Sequence, residues 1–217
     1  MAVLLDVGKM GYLECWELQR KVASEIIEKD GPDTLIFVEH YPVMTLGASF
    51  HRENLLLDEA DYLALGIDIQ ETDRGGDVTY HGPGQLVIYP VFDIQHFGKD
   101  LHRWMRDLEE TMIRTLEHFG LASRRFPPHT GAWVGDEKVA AIGVKVRRWV
   151  NLHGIALNCE NSLEPFGHIV PCGIDEFGVT SLSQLLGRTV SVAETKPVVA
   201  KAFERVFGLT FAQQSIP

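Results

Sequence analysis

Apolar residues recur along this chain with two periods, and the period changes from segment to segment. From Tyr12 to Lys29, Leu13, Trp16, Val22, Ile26 and Ile27 fall roughly on one face of a 3.6-residue repeat, which predicts an amphipathic helix. A stronger stripe runs from about Leu101 to Phe119 through Trp104, Leu108, Met112 and Leu116. Shorter helices are expected at "LDEADYLALG", closed by Gly66, and at "VTSLSQLLG", with a long closing helix at "VAETKPVVAKAFERVFGL". Between them, "AVLLDV", "DTLIFVEH", "IDIQETD", "QLVIYPVFDI" and "WVNLHGIALNC" read as strands, and "YPVMTLG" as a proline-containing turn or edge. "GAWVGDEKVAAIGVKV" reads as a hairpin turning at Gly135-Asp136. Strands come mainly in runs, without strict alternation with helices. The expectation is an α+β fold, a mixed and largely antiparallel sheet packed by helices, with residues 1–217 as a single domain. No repeat, low-complexity tract or linker interrupts it.

Composition narrows the function classes. Hydrophobic residues are 45% and charged residues 23%, an ordinary globular balance with no apolar run of transmembrane length. The N-terminus lacks the basic start and cleavage site of a signal peptide, so a cytoplasmic protein is expected. The net charge of −10 argues against bulk binding to nucleic acid or a membrane, and an acidic protein partner would need a local basic patch. Three cysteines are an odd number, which does not suit a disulfide framework.

Three stretches carry candidate chemistry. The first, "RGGDVTYHGPGQLVIYP", has four glycines before it turns into a strand, more than a two-strand turn needs. Gly75 and Gly76 allow backbone N–H groups to face a bound group, with Arg74 and His81 supplying charge or hydrogen bonds. The residues alone leave that reading level with a tight hairpin in which Arg74 is a surface ion-pair partner. The second is "HIVPCGI", where Cys172 sits between a proline and a glycine as a candidate nucleophile; Cys15 and Cys159 fit buried, inert thiols better. The third is "GDEKVAAIG", where Lys138 opens an otherwise apolar strand, either snorkelling to solvent or serving as a base. His153, Cys159, His168 and Cys172 lack metal-ligand spacing, so no metal site is expected.

Arg74-Gly75-Gly76, Thr79, His81, Gly82-Pro83-Gly84-Gln85 and Tyr89 together resemble the signature of the lipoyl(octanoyl) transferases, a bacterial family that begins lipoate cofactor assembly. "EHYPVMTLG", "KVAAIGVKV…LHGIALN" and "VPCGI…GVTSL" resemble further family segments in the same order; Tyr41 stands where a smaller residue or proline is expected. The resemblance implies the catalytic-domain fold of the biotin and lipoate protein ligases. It implies an octanoyl group passing from acyl carrier protein to Cys172 as a thioester, then to a lysine amine of a lipoyl domain. Those domains belong to 2-oxoacid dehydrogenase complexes and the glycine cleavage H protein. Lys138 would be the acid–base, and no cofactor is implied. Position by position, the substrate site would take Arg74, Gly75, Gly76, Asp77, Val78, Thr79, Tyr80 and His81, then Ala141, Ile142 and Gly143, then Gly154, Ile155 and Ala156, with His153 orienting. An ATP-dependent lipoate or octanoate ligase is the nearest alternative, although such ligases do not need Cys172; a non-catalytic carrier-binding module is another. Of two basic clusters, Arg124-Arg125 and Lys145 to Arg148, the second is favoured as the carrier dock because it continues the strand of Lys138, a reading that the residues leave level with an ordinary solvated strand end.

Overall fold

The computed structural model describes residues 2–170 and 177–214. Its strands divide between two sheets. The larger contains β1 (Ala2–Met10), β2 (Thr34–His40), β6 (Gln85–Val91), β7 (Arg124–Phe126), β8 (His129–Val134), β9 (Glu137–Arg147), β10 (Val150–Asn158) and β12 (Phe211–Gln214), in the order β12-β1-β2-β6-β10-β9-β8-β7. From β2 to β7 every pairing is antiparallel, whereas β12-β1 and β1-β2 are parallel. The two-residue β11 (Gly178–Val179) lies parallel to the start of β9 and pairs Val179 with Lys138. The smaller sheet sets β3 (Val43–Leu46) between β4 (Asp68–Glu71) and β5 (Val78–His81).

β5 and β6 are separated by a three-residue glycine-rich link, yet they do not pair. β5 bonds to β3, and β6 bonds to β2 and β10. The hairpin reading of this stretch is thereby corrected: Gly82–Gly84 hands the chain from one sheet to the other. Gly84 suits the transfer on two counts. Its φ is +83°, and a Cβ there would lie 2.7 Å from the backbone nitrogen of Asn161.

Strict alternation in β2 explains how the large sheet is covered on both faces. Leu35 and Phe37 face α3 (Leu101–His118) and α5 (Val192–Phe207), where they meet Leu108, Met112 and Phe203. Ile36 and Val38 face α1 (Tyr12–Lys29) and pack with Cys15, Ala23 and Ile26. Each such side chain, fully buried, contributes about 1.5–3 kcal/mol. α3 begins where the Asp100 carboxylate accepts the N–H groups of His102 and Arg103 at 2.8 and 3.1 Å. α2 (Glu59–Ala64) covers the small sheet, burying Tyr62 against Met44, Val78 and Tyr80. No helix among the described residues is long and apolar enough to cross a membrane.

Candidate active site

A cleft lies where β5 and the loop before it face the middle of β9 and β10. It spans about 520 Å³, part of it open to solvent. Its floor is made of small residues because the two strands pair Ala141 with Ala156 and Gly143 with Gly154. Gly143 has a steric reason to be glycine, since a Cβ would stand 2.7 Å from the carbonyl oxygen of Gly75. That close passage is where the Gly75 loop docks, with Gly75 N–H donating to Val144 O at 2.9 Å.

The two ends of the cleft differ. At one end Lys138 reaches the lining, its Nζ 4.8 Å from the Trp133 ring centroid and its carbonyl accepting from Thr180 N–H at 3.0 Å. Thr79, Ala141 and Ala156 border the same end, where Phe166 and Asn158 approach. At the other end stand Tyr12, Tyr89 and His153.

Behind this second end lies a buried polar network whose tautomers follow from its partners. His40 Nδ1 donates to Met10 O at 2.9 Å, so Nε2 accepts from the Tyr89 hydroxyl at 2.8 Å. His81 Nδ1 donates to Gln85 Oε1 at 2.8 Å, because the Gln85 amide is oriented by donating to Tyr80 O and Asn158 Oδ1. His81 Nε2 then accepts from Thr45 Oγ1 at 3.4 Å. His153 Nε2 donates to Asp73 Oδ1 at 2.8 Å and Nδ1 accepts from the Tyr12 hydroxyl at 3.4 Å. Burial holds all three imidazoles neutral, lowering His40 to about 4, His81 to about 3 and His153 below its ordinary value despite Asp73. Burial likewise raises Tyr12 to about 12, which keeps its phenol protonated. The imidazoles of His81 and His153 and the Tyr12 phenol are thus uncharged where they border this end of the cleft, which the Arg74 guanidinium also lines.

His153 reaches this position by breaking a pattern. Alternation along β10 sends Asn151 to Trp104 on α3 and Ile155 into the same core. His153 should follow them. Its φ is +57°, and its ring instead lies 5.4 Å from that of Trp16 on α1. A non-glycine residue in this region costs about 1–3 kcal/mol and persists where surrounding contacts fix it. Here the backbone N–H also donates to Gln19 Oε1 at 2.8 Å.

Of the residues expected at the substrate site, the cleft brings together Arg74, Gly75, Gly76, Thr79, His81, Ala141, Ile142, Gly143, Gly154, Ile155 and Ala156, with Lys138 and His153 at its ends. Asp77, Val78 and Tyr80 lie elsewhere. Alternation turns Val78 and Tyr80 into the core of the small sheet. The Asp77 carboxylate is taken up by Asn54 Nδ2 at 2.6 Å, His51 Nδ1 at 3.2 Å and Val78 N–H at 2.8 Å. Arg74 does not lie at the surface. It is 7% exposed and donates to Thr45 O, Thr45 Oγ1 and Asp77 O. Cys172 lies outside the described residues. Cys15 and Cys159 are buried, and burial raises both thiols to about 12, which suits inert side chains. Sequence reasoning missed Tyr12, Thr45 and Asp73, and had Tyr89 as part of the family signature without a place in the site; Tyr12 carried no signal beyond opening a helix. No cluster of metal-ligating side chains occurs among the described residues.

Residues 11–204 match the family described as the lipoyl protein ligase A/B catalytic domain. An octanoyltransferase of Gloeobacter violaceus is 46% identical over 208 residues, covering 95% of this chain and 90% of its own. One from Geobacter metallireducens is 46% identical over 201 residues, covering 93% and 91%. Among solved structures, lipoate-protein ligase A bound with ATP superposes with a TM-score of 0.77 at 19% identity, covering 100% of this chain and 90% of that one. A biotin protein ligase of Aquifex aeolicus in complex with biotin and ATP gives 0.58 at 11%, covering 96% and 71%. These structural likenesses concern the fold.

Proposed function

The chain belongs to the lipoyl protein ligase A/B catalytic-domain family, and we propose that it is an octanoyltransferase that moves an octanoyl group from a carrier thioester to a lysine amine of a lipoyl domain. The observation that carries this reading is the small-residue slot, which runs along β9 from Ala141 to Gly143 with Lys138 at its mouth.

In this reading the octanoyl tail lies in the slot and the thioester carbonyl stands near Lys138. The Cys172 thiolate attacks that carbonyl, the C–S bond to the carrier's pantetheine thiol breaks, and the departing thiolate takes up a proton from the Lys138 ammonium. The octanoyl group is now a thioester of Cys172. A lysine amine of the lipoyl domain enters next. With an ordinary pKa of roughly 10.4 it is mostly protonated near neutral pH, so a base must accept its proton before it attacks. Solvent takes that first proton, and the free amine attacks the Cys172 thioester. Lys138, left neutral by the first half-reaction, accepts the amine's second proton as the amide forms, and the Cys172 thiolate leaves. Acyl carrier protein is the donor that fits the thioester chemistry, and the whole chain acts as one acyltransferase unit without a cofactor.

An ATP-dependent ligase shares the fold but activates a free acid as an adenylate, so nucleotide dependence separates the two. Incubation with octanoyl-carrier protein in the absence of ATP should add one octanoyl mass to the intact protein. Cys172→Ser should abolish the adduct, and Cys15→Ala and Cys159→Ala should retain it. Lys138→Arg keeps a cation that cannot serve as a base, so it should lose amide formation. An adduct that requires ATP, or that maps to a peptide containing Cys15 or Cys159, would overturn the reading.

A further inference from the structure

We propose that the imidazole of His153 is the end wall of the acyl slot and sets the longest chain the slot accepts. This rests on the reading that the slot holds an acyl chain. His153 is 1% exposed, and its ring lies between the slot, which it lines, and the side chains of Asp73 and Trp16. One side lines the slot, together with Tyr12 and Tyr89. On the other side are Asp73, whose side chain is 50% exposed, and Trp16. Both line a separate groove between α1 and the end of the β9-β10 hairpin, whose walls include Ala23, Ile27 and Leu152. The left-handed backbone at His153 places the ring in this partition, and Asp73, Tyr12 and Gln19 hold it there.

Strand register gives the ruler its length. The reactive end is bordered by the Ala141–Ala156 pair and the wall by the Val144–His153 pair, three residues along β9. At about 3.3 Å per residue the span is about 10 Å. An extended eight-carbon chain advances roughly 1.25 Å per bond and is about 9 Å long. A twelve-carbon chain, at about 14 Å by the same spacing, would have to pass through the His153 ring into the groove beyond.

The test reads chain-length ratios in two ways. Binding of hexanoate, octanoate, decanoate and dodecanoate is measured by calorimetry, and amide formation is measured from the matching acyl-pantetheine thioesters with a lipoyl domain. His153→Gly keeps the backbone, because glycine adopts φ +57° without a Cβ penalty. It should raise the ratio of dodecanoyl to octanoyl use at least tenfold. His153→Asn, also tolerant of this conformation, should shift the ratio less. Ile27 lines the outer groove and not the slot, so Ile27→Ala alone should leave the ratio unchanged, and it should extend the shift when combined with His153→Gly. An unchanged ratio in folded His153→Gly and His153→Asn proteins overturns the proposal, as does a shift caused by Ile27→Ala alone. If the acids bind with the expected length profile but the wild-type protein transfers none of the thioesters, the end wall stands and the transferase reading falls.

Discussion

Arg74 holds the cleft together from within. Its Nη2 donates to Thr45 O at 2.5 Å and to Asp77 O at 2.7 Å, and its Nε donates to Thr45 Oγ1 at 3.1 Å, so one guanidinium fastens the Gly75-Gly76 loop to β3. Arg74→Ala would leave buried carbonyl acceptors without a donor, with an expected loss of about 2–3 kcal/mol. Arg74→Lys should recover less than half of it, because an ammonium cannot reproduce the planar fork. Urea unfolding of the three proteins measures both quantities. The neighbouring glycine is different: Gly76 has φ +91°, so any larger residue there is strained whatever space surrounds it, and a substitution at Gly76 reports on backbone conformation before it reports on substrate contact. The sequence marked these residues as special but not how each is used. Arg74 was legible as a charge beside glycines. That the charge is spent on Thr45, 29 residues earlier, depends on the pairing of β3 with β5, which no local pattern contains.

Elements with a strong period were the most legible. The helix expected over Tyr12–Lys29 is α1 to the residue, and the stripe from Leu101 to Phe119 is α3 to within one. The division of strands between two sheets was not legible, because β5 and β6 each look like the arm of a hairpin and only their distant partners separate them. β7, β11 and β12 were missed; at three, two and four residues they are too short to show a period. The Arg124-Arg125 cluster also changes meaning. Arg125 pairs with Glu109 at 3.2 Å and Glu110 at 2.8 Å, and Arg124 pairs with Asp136 at 3.1 Å, so these cations tie β7 to α3 and to the β8-β9 turn. The β9-β10 turn offers a prediction at this scale. Its two central residues, Arg148 and Trp149, have φ of +50° and +69°, the conformation of a type I′ turn that favours Asn-Gly. Trp149 packs against the core, but Arg148 is exposed. Arg148→Asn should therefore stabilise the protein by about 0.5–1 kcal/mol through relief of left-handed strain, read as a rise in thermal midpoint with slot binding unchanged.

At the scale of the whole molecule, the three neutral imidazoles couple folding to pH. His40 lies on β2, His81 on β5 and His153 on β10, and their partners come from β1, α1, β3, β6 and the loop before β5, so the group spans both sheets and is exposed together on unfolding. In the unfolded chain each titrates near the ordinary 6.5; in the folded protein His40 is lowered to about 4, His81 to about 3, and His153 is lowered as well. Between those values the unfolded state binds more protons than the folded state. Stability is therefore complete above pH 6.5 and is lost progressively as pH falls towards 4, by up to about 1.4 kcal/mol per pH unit for each group. His96 acts in the opposite sense, since its hydrogen bond to Asp33 raises it, but it is largely exposed and solvent screens its contribution. Ordinary carboxylates remain ionised down to about pH 5, which leaves the histidines as the dominant titration in the window from 7 to 5. Urea midpoints taken at pH 7, 6 and 5 should fall at each step, with the larger drop between 6 and 5. His40→Asn, which removes one of the three protons, should flatten that slope while lowering stability at pH 7, because the Tyr89 hydroxyl loses the imidazole acceptor it meets at 2.8 Å. A midpoint constant from pH 7 to 5 would mean that these imidazoles are not held neutral by the fold.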